Sequence, residues 1–455
     1  MKSPQNQKHK GEALMHILDE LHLESNNKIK INFNGGDLSS DAGMIPVNEF
    51  ARKIGFDKLI QSKFKTNDSA SFRYHTDTEN LMQKIYQIVA AYFQDDDADE
   101  LTHDPVFNAI LGKKELASQP TMSRFFNRCD DICLMQFEQI QQILRKRIYS
   151  IKRPEQILID IDSTLFATYG SQEGNDYNQH YSDYGYHPLL AYDGLTGDLL
   201  KAELRPGNVY TSKNAKDFLY PLLLEFQEDY PTIDIYLRGD SGFADVMLYE
   251  KLESNGVTYT IRLKESKPLR DAAADYFTEL CELTKDNQVD YAVVYGEIFY
   301  KADSWLYPRR VAVKVEKPYG QLTHLYTFIV TNMEINPEDV IHFYYNRGTM
   351  ENFIKESKSG FHMDAMGSRS MITNSNKLQI SVLAYNLFNW FRRLVLPAKM
   401  RKLRIDTIRL KLIKIAARII HSARYITFKL CSSCPYQNEY METLRNIKNL
   451  TVKLE

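Results

Sequence analysis

Hydrophobic positions change period along the chain. Leu81, Ile85, Ile88, Val89, Tyr92 and Phe93 recur at helical spacing, and so do Met122, Phe125, Phe126, Cys129, Cys133, Phe137, Ile140, Leu144 and Ile148 behind a helix start at Ser118 and Pro120. With a short extended start at 28–33, this predicts a mainly helical N-terminal region over 1–150. Arg124, Arg128, Arg145, Lys146 and Arg147 lie off the buried stripe, which fits a plain bundle with a wet face and a DNA-reading module equally well. From 156 the period shortens. An apolar run ending in acids at 156–162, an alternating stretch at 180–193 and a third at 199–205 read as strands joined by the turn signals Asp193-Gly194 and Thr196-Gly197-Asp198. Helix at 213–229, strand at 233–237, helix at 244–254 and strand at 258–263 then alternate, which predicts an α/β core with a mixed sheet.

Strand patterns without intervening helices at 291–300, 310–315 and 325–331 read as a β-rich insertion over 265–336. It divides the core into a first part, 151–264, and a second part, 337–397, with helices at 339–357 and 378–395. The remainder, 398–455, reads as a basic segment with one or two more helices. No internal repeat or low-complexity tract interrupts the pattern.

At 455 residues, 43% hydrophobic and 25% charged, the composition is that of a globular protein. The apolar stretch at 383–396 is broken by Asn and Arg well short of the ~20 residues of a membrane span. No membrane partner is expected. The first residues carry no apolar run behind their charges, so the expectation is a cytoplasmic, nucleoid-associated protein. Five cysteines are too few for a disulfide framework, and Cys431 with Cys434 or Cys129 with Cys133 read as idle or buried thiols rather than a zinc site. The formal net charge of −2 conceals an asymmetry: 391–430 holds twelve Lys or Arg against the single acid Asp406. Such a segment predicts a phosphate-binding surface.

The candidate chemistry lies where strands end. Asp162 closes the first core strand with Asp160 on the same face, and Asp240 follows another strand; the carboxyl edge of an open α/β sheet is where sites form. Tyr344, Arg347, Glu351 and Lys358 would share an arc of roughly 60° on a continuous helix. A carboxylate between a phenol and two cations suits a metal together with phosphates. The spacing around His180, Tyr186 and His187 lacks a metal-hydrolase pattern, so packing or hydrogen bonding is expected there. No G-x4-G-K-[ST] is present, so ATP is not expected as a partner.

The spacing Y-x2-R-x3-E-x6-K from Tyr344 to Lys358 resembles the signature of the hairpin-forming branch of bacterial DDE transposases. LIDIDSTLFATYGSQEG, HYSDYGYHPLLAYDGLTGDLL, ELRPGNVYTSKNA and LRGDSGFA, with LTHDPVF and LASQPTMSRF upstream, resemble the insertion-sequence thirteen-eighty family from about residue 30 to about residue 400. The resemblance implies an RNase H-like catalytic core with Asp162, Asp240 and Glu351 as catalytic and metal-binding triad. Asp162 is preferred to Asp160 because Ser163 follows it, as a small residue does in related enzymes. It further implies two Mg2+ ions, with Mn2+ able to substitute, and phosphate contacts from Tyr344, Arg347 and Lys358. Trp305, ahead of Arg309 and Arg310, is a candidate for stacking on an unpaired base of bent DNA. The partners implied are terminal inverted repeats and target DNA, bound by a homodimer, with cut-and-paste movement through hairpin ends. A structure-selective nuclease and a catalytically silent DNA-binding protein are the alternatives. Glycoside hydrolysis by paired carboxylates leaves the basic residues unexplained.

Overall fold

The protein is described by a computed structural model over residues 21–285, 291–321 and 323–454. The first twenty residues of the expected N-terminal region, and a few positions of the expected insertion, lie outside it. An eight-stranded sheet forms the centre: β1 (Ile157–Ser163), β2 (Leu189–Asp193), β3 (Leu199–Glu203), β4 (Ile235–Gly239), β5 (Thr258–Leu263), β6 (Ala292–Tyr300), β7 (Arg309–Lys317) and β8 (Leu325–Thr331). Their order is β6-β7-β8-β5-β4-β1-β2-β3. Strand β4 runs parallel to β1 and β5, and the remaining pairs are antiparallel. Strand β1 is buried on both faces, as a central strand must be, which is why its sequence is nearly continuous in Ile and Leu.

The β-rich stretch enlarges this sheet. Strand β8 pairs with β5 from Thr260 opposite Thr331 to Leu263 opposite Phe328. Two helices not expected from the strand pattern, Lys267–Ala272 and Ala274–Leu283, precede it. The second buries Leu280, and its Tyr276 hydroxyl donates to the Glu297 carbonyl on β6, which fixes it on the meander.

Helix Met371–Val395 is buried along most of its length. Its amides satisfy the outer edge of β3: Asn386 bonds both N–H and C=O of Leu199, and Gln379 donates to the Ala202 carbonyl. An unpaired sheet edge is thereby closed by side chains. The N-terminal helices Asp77–Val89 and Asp131–Ile151 pack on the same helix, and one apolar core runs from Ala42 to Ile447.

Several elements differ from their expected extent. The helix read from 118 to 148 is two, Gln119–Asn127 and Asp131–Ile151, because Asp130 caps the second through the N–H groups of Ile132 and Cys133. The single strand read at 180–193 is Asp183–Tyr186 and β2, interrupted at His187 and Pro188, and the former joins Phe166–Ala167 and Asp176–Asn178 in a separate small sheet. The helix read at 339–357 is Pro337–Tyr345 and Gly348–Phe361, turning at Asn346 and Arg347. The basic tail contains a β-hairpin, Ala417–His421 with Ile426–Leu430, besides helix Gln437–Asn449.

Gly185 shows how tightly the small sheet is built: a Cβ there would lie 2.2 Å from the Phe166 carbonyl oxygen. Gly185→Ala should therefore cost about 1–3 kcal/mol of stability, measured as a lowered urea midpoint.

Candidate active site

Parallel pairing of β1 and β4 sets the site. Gly239 stands opposite Ile161, so the next residues, Asp240 and Asp162, leave neighbouring strands at the same carboxyl edge. Asp162 accepts from the Ser163 N–H at 2.8 Å, and Asp240 accepts from Gly242 N–H at 2.9 Å, opening the short turn Ser241–Phe243. Burial pushes the Asp162 carboxyl up to about 6; Arg347 opposes that shift and the negative charge of Asp240 adds to it.

Asp160 lies one strand repeat below. Its two oxygens take Nε and Nη2 of Arg238 at 2.6 and 2.7 Å, with both side chains buried. Arg238 Nη1 also donates to the Phe343 carbonyl at 2.8 Å. Asp160 thus anchors the end of helix Pro337–Tyr345 beneath the site, and Asp162 is the acid that faces the opening.

That anchor places Arg347, whose Nη2 lies 2.9 Å from Asp162 Oδ2 and donates to the Ile161 carbonyl at 3.3 Å. Its Nε is buried without a hydrogen-bond partner. Tyr344 is buried against Ala312, Ile329, Val340 and Ile341, and its phenol is pushed up by burial within the fields of Arg347, Asp240 and Asp162. Lys358 donates to the Leu165 carbonyl at 2.8 Å, just beyond the end of β1. Glu351 sits one turn after Arg347, but its side chain is 64% exposed and lies 4.0 Å from Lys355. Among the described residues no three His, Cys, Asp or Glu side chains are close enough together to hold a metal ion. Asp162, Asp240, Tyr344 and Arg347 therefore converge, Lys358 flanks them, and the Glu351 carboxylate stands apart. The turn at Asn346 and Arg347 is why the expected single helical face is divided.

Trp305 is enclosed instead of open for stacking: its indole is 7% exposed, edge-on to Tyr249 and Tyr300, with Arg309 over the ring. Arg309 is held by both oxygens of Glu253, and Arg310 by Glu297 and the carbonyls of Met333 and Ile335. These groups hold the meander together. In the basic segment, Arg392 pairs with Glu356, Arg393 with Asp198, Lys399 with Glu439, Arg404 and Arg409 with Asp406, and Lys414 with Asp41. Half of the twelve cations are thus paired within the fold.

Tyr181 was not singled out by sequence. Its hydroxyl donates to the Ser163 carbonyl at 3.2 Å, and burial, then Asp162 and Asp240, push its phenol up to about 12. His187 Nδ1 donates to the Val209 carbonyl at 2.7 Å beside the Tyr181 ring, in keeping with the hydrogen-bonding role expected of it. Only the crowding of His and Tyr in HYSDYGYHP could have drawn attention to Tyr181.

The arrangement is an acidic strand-end site of a mixed α/β protein, closed on one side by an arginine in the turn between two helices. A family model described as Transposase DDE domain group 1 matches residues 21–452, and the chain belongs to that family. Among solved structures it is similar to a piggyBac transposase, imaged by cryo-electron microscopy in a synaptic complex with hairpin DNA, at 13% identity and a TM-score of 0.40, over 82% of this chain and 80% of that one. No curated protein matches the chain.

Removing one partner of a buried ion pair costs about 3–5 kcal/mol. Asp160→Ala should incur that loss in urea unfolding. The Asp162 carboxyl, followed by carbon-detected NMR in metal-free protein, should titrate near 6. Its midpoint should fall in Asp240→Asn, which removes a like charge, and rise in Arg347→Gln, which removes a cation.

Proposed function

We propose that this chain is a DNA transposase of the insertion-sequence thirteen-eighty type that cuts the ends of its own element and joins them to target DNA. The observation that carries the reading is the pair Asp162 and Asp240, held at adjacent strand ends under Arg347, in a chain matched by a DDE transposase model over nearly its whole length. The strand order β3-β2-β1-β4-β5, three antiparallel strands followed by two parallel ones, supports an RNase H-like core into which residues 265–336 are inserted.

Asp162 and Asp240 present hard carboxylate oxygens, and the negative charge of Asp240 adds to the cost of ionising Asp162, a donor set that fits Mg2+ or Mn2+. Glu351 completes the set by turning its side chain away from Lys355. Two ions held there would activate the attacking oxygen and neutralise the leaving one during in-line phosphoryl transfer. The chain's own part is positional. Arg347, beside Asp162 at the start of helix Gly348–Phe361, offers the part of its guanidinium that reaches the opening to a phosphate oxygen next to the cleaved bond. Lys358, one side along the same helix, holds the next phosphate, and Tyr344 fixes the helix end that carries Arg347. Water and then a freed 3′-hydroxyl serve as successive nucleophiles. Cut-and-paste movement through hairpin ends, by a dimer that pairs two inverted repeats, follows from the same reading.

Purified protein, labelled inverted-repeat duplex and Mg2+ test it. Wild type should nick at the repeat end, and Asp240→Ala should lose at least about 10³-fold in cleavage while retaining DNA affinity. Cleavage surviving in Asp240→Ala would overturn the assignment. Wild-type binding without nicking in Mg2+ or Mn2+ points to a silent DNA-binding protein, and nicking of branched DNA regardless of the repeat points to a structure-selective nuclease.

A further inference from the structure

Six cations of the basic segment have acid partners; the others include a group gathered on one small sheet. The hairpin Ala417–His421 and Ile426–Leu430 sets Arg418 directly opposite Lys429. Both are exposed, Arg424 is exposed at the turn between the strands, and 416–430 contains no Asp or Glu. Like charges directly across a strand pair repel, so such a pair is unfavourable unless an anion lies over it. Among the described residues no acid forms an ion pair with Arg418, Arg424 or Lys429. Asp37 is the nearest acid in the pairing, and it contributes its backbone carbonyl to Ile419 N–H at 2.8 Å.

The hairpin is also held firmly enough to present these charges. Ala417 and Ile419 are buried in the main core, Phe428 and Leu430 pack against it, and strand Leu38–Ser39 pairs along one side. The apolar face is committed inward, which leaves Arg418 and Lys429 on the outward one. The Arg418 guanidinium lies beside the backbone of Gly36. Two fixed cations across neighbouring strands, with a third at the tip and exposed Tyr425 beside it, match the repeating negative charge of a nucleic-acid backbone.

We infer that this hairpin is a DNA contact separate from the carboxylate pair, gripping the phosphate backbone of duplex DNA without reading its bases. The inference rests on the transposase reading and adds a second site to it. Phosphate contacts contribute to affinity through counterion release, so they show in the salt dependence of binding.

The experiment measures duplex affinity of the full chain in EDTA, from low to moderate salt, on an inverted-repeat duplex and an unrelated duplex of equal length. Arg418→Gln with Lys429→Gln should weaken both similarly and flatten the log–log salt slope by about 2. Arg418→Lys should keep the wild-type slope. Melting of the double variant should be unchanged or raised, since a repulsive pair is removed. An unchanged slope in the double variant, or a loss confined to the inverted repeat, overturns the hairpin contact while leaving the transposase reading intact. A wild type that binds neither duplex overturns both.

Discussion

Arg238 joins three elements with one side chain. Two of its nitrogens hold Asp160 across the β1–β4 pair and a third holds the Phe343 carbonyl at the end of helix Pro337–Tyr345. Burying a guanidinium is costly unless its donors are met, and here the bidentate carboxylate and the carbonyl meet them. The consequence is positional. Asp162 and Asp240 stand immediately beyond this clamp, on the strands it ties, and Arg347 stands immediately beyond the helix end it fixes. A sheet register and a helix terminus are thereby set by the same buried charge.

Above the clamp, the electrostatics oppose one another. Asp162 is partly withdrawn from water and shares its surroundings with Asp240, both of which favour the protonated acid, while Arg347 favours the carboxylate. Burial combined with a neighbouring like charge is one of the arrangements by which functional sites shift the ionisation of an acid. The contrast with Asp160 is informative: the same residue type, two positions earlier on the same strand face, has both oxygens satisfied and no access to solvent.

Much of this was legible in sequence because the signals are local. Strands β5 and β8 coincide with their apolar runs, and the acids were found because they end such runs. The helix read at 378–395 was found from its dense apolar positions, and the structure starts it seven residues earlier, at Met371. What escaped depends on distant partners. Nothing near Lys414, Arg393 or Arg392 in the chain announces Asp41, Asp198 or Glu356, so the tail's charge looked free when half of it is paired. Trp305 reads as available beside two arginines until Tyr249, Tyr300 and Glu253 are seen to occupy it and them. The breaks at Asp130 and at Arg347 were missed because apolar periodicity continues across a single cap or turn. For Glu351, spacing fixed the turn of helix that carries it and said nothing about its rotamer.

That last distinction bears on how the proposed site would assemble. Arg347 holds the first turn of helix Gly348–Phe361 through Asp162 and the Ile161 carbonyl, and Lys358 holds a later turn through the Leu165 carbonyl. Both attachments are to the exit of β1, so the helix is fixed against the strand at two places that bracket Glu351. Met350 and Ile354, on either side of Glu351 in sequence, are buried and add apolar anchorage. Shifting the whole helix would break these contacts together, whereas turning the Glu351 side chain gives up only an exposed pairing with Lys355, of a kind worth about 0.5 kcal/mol or less. On the proposed reading, the third carboxylate therefore joins the two aspartates by side-chain rotation, on a helix already held in place by the residues that would grip the DNA.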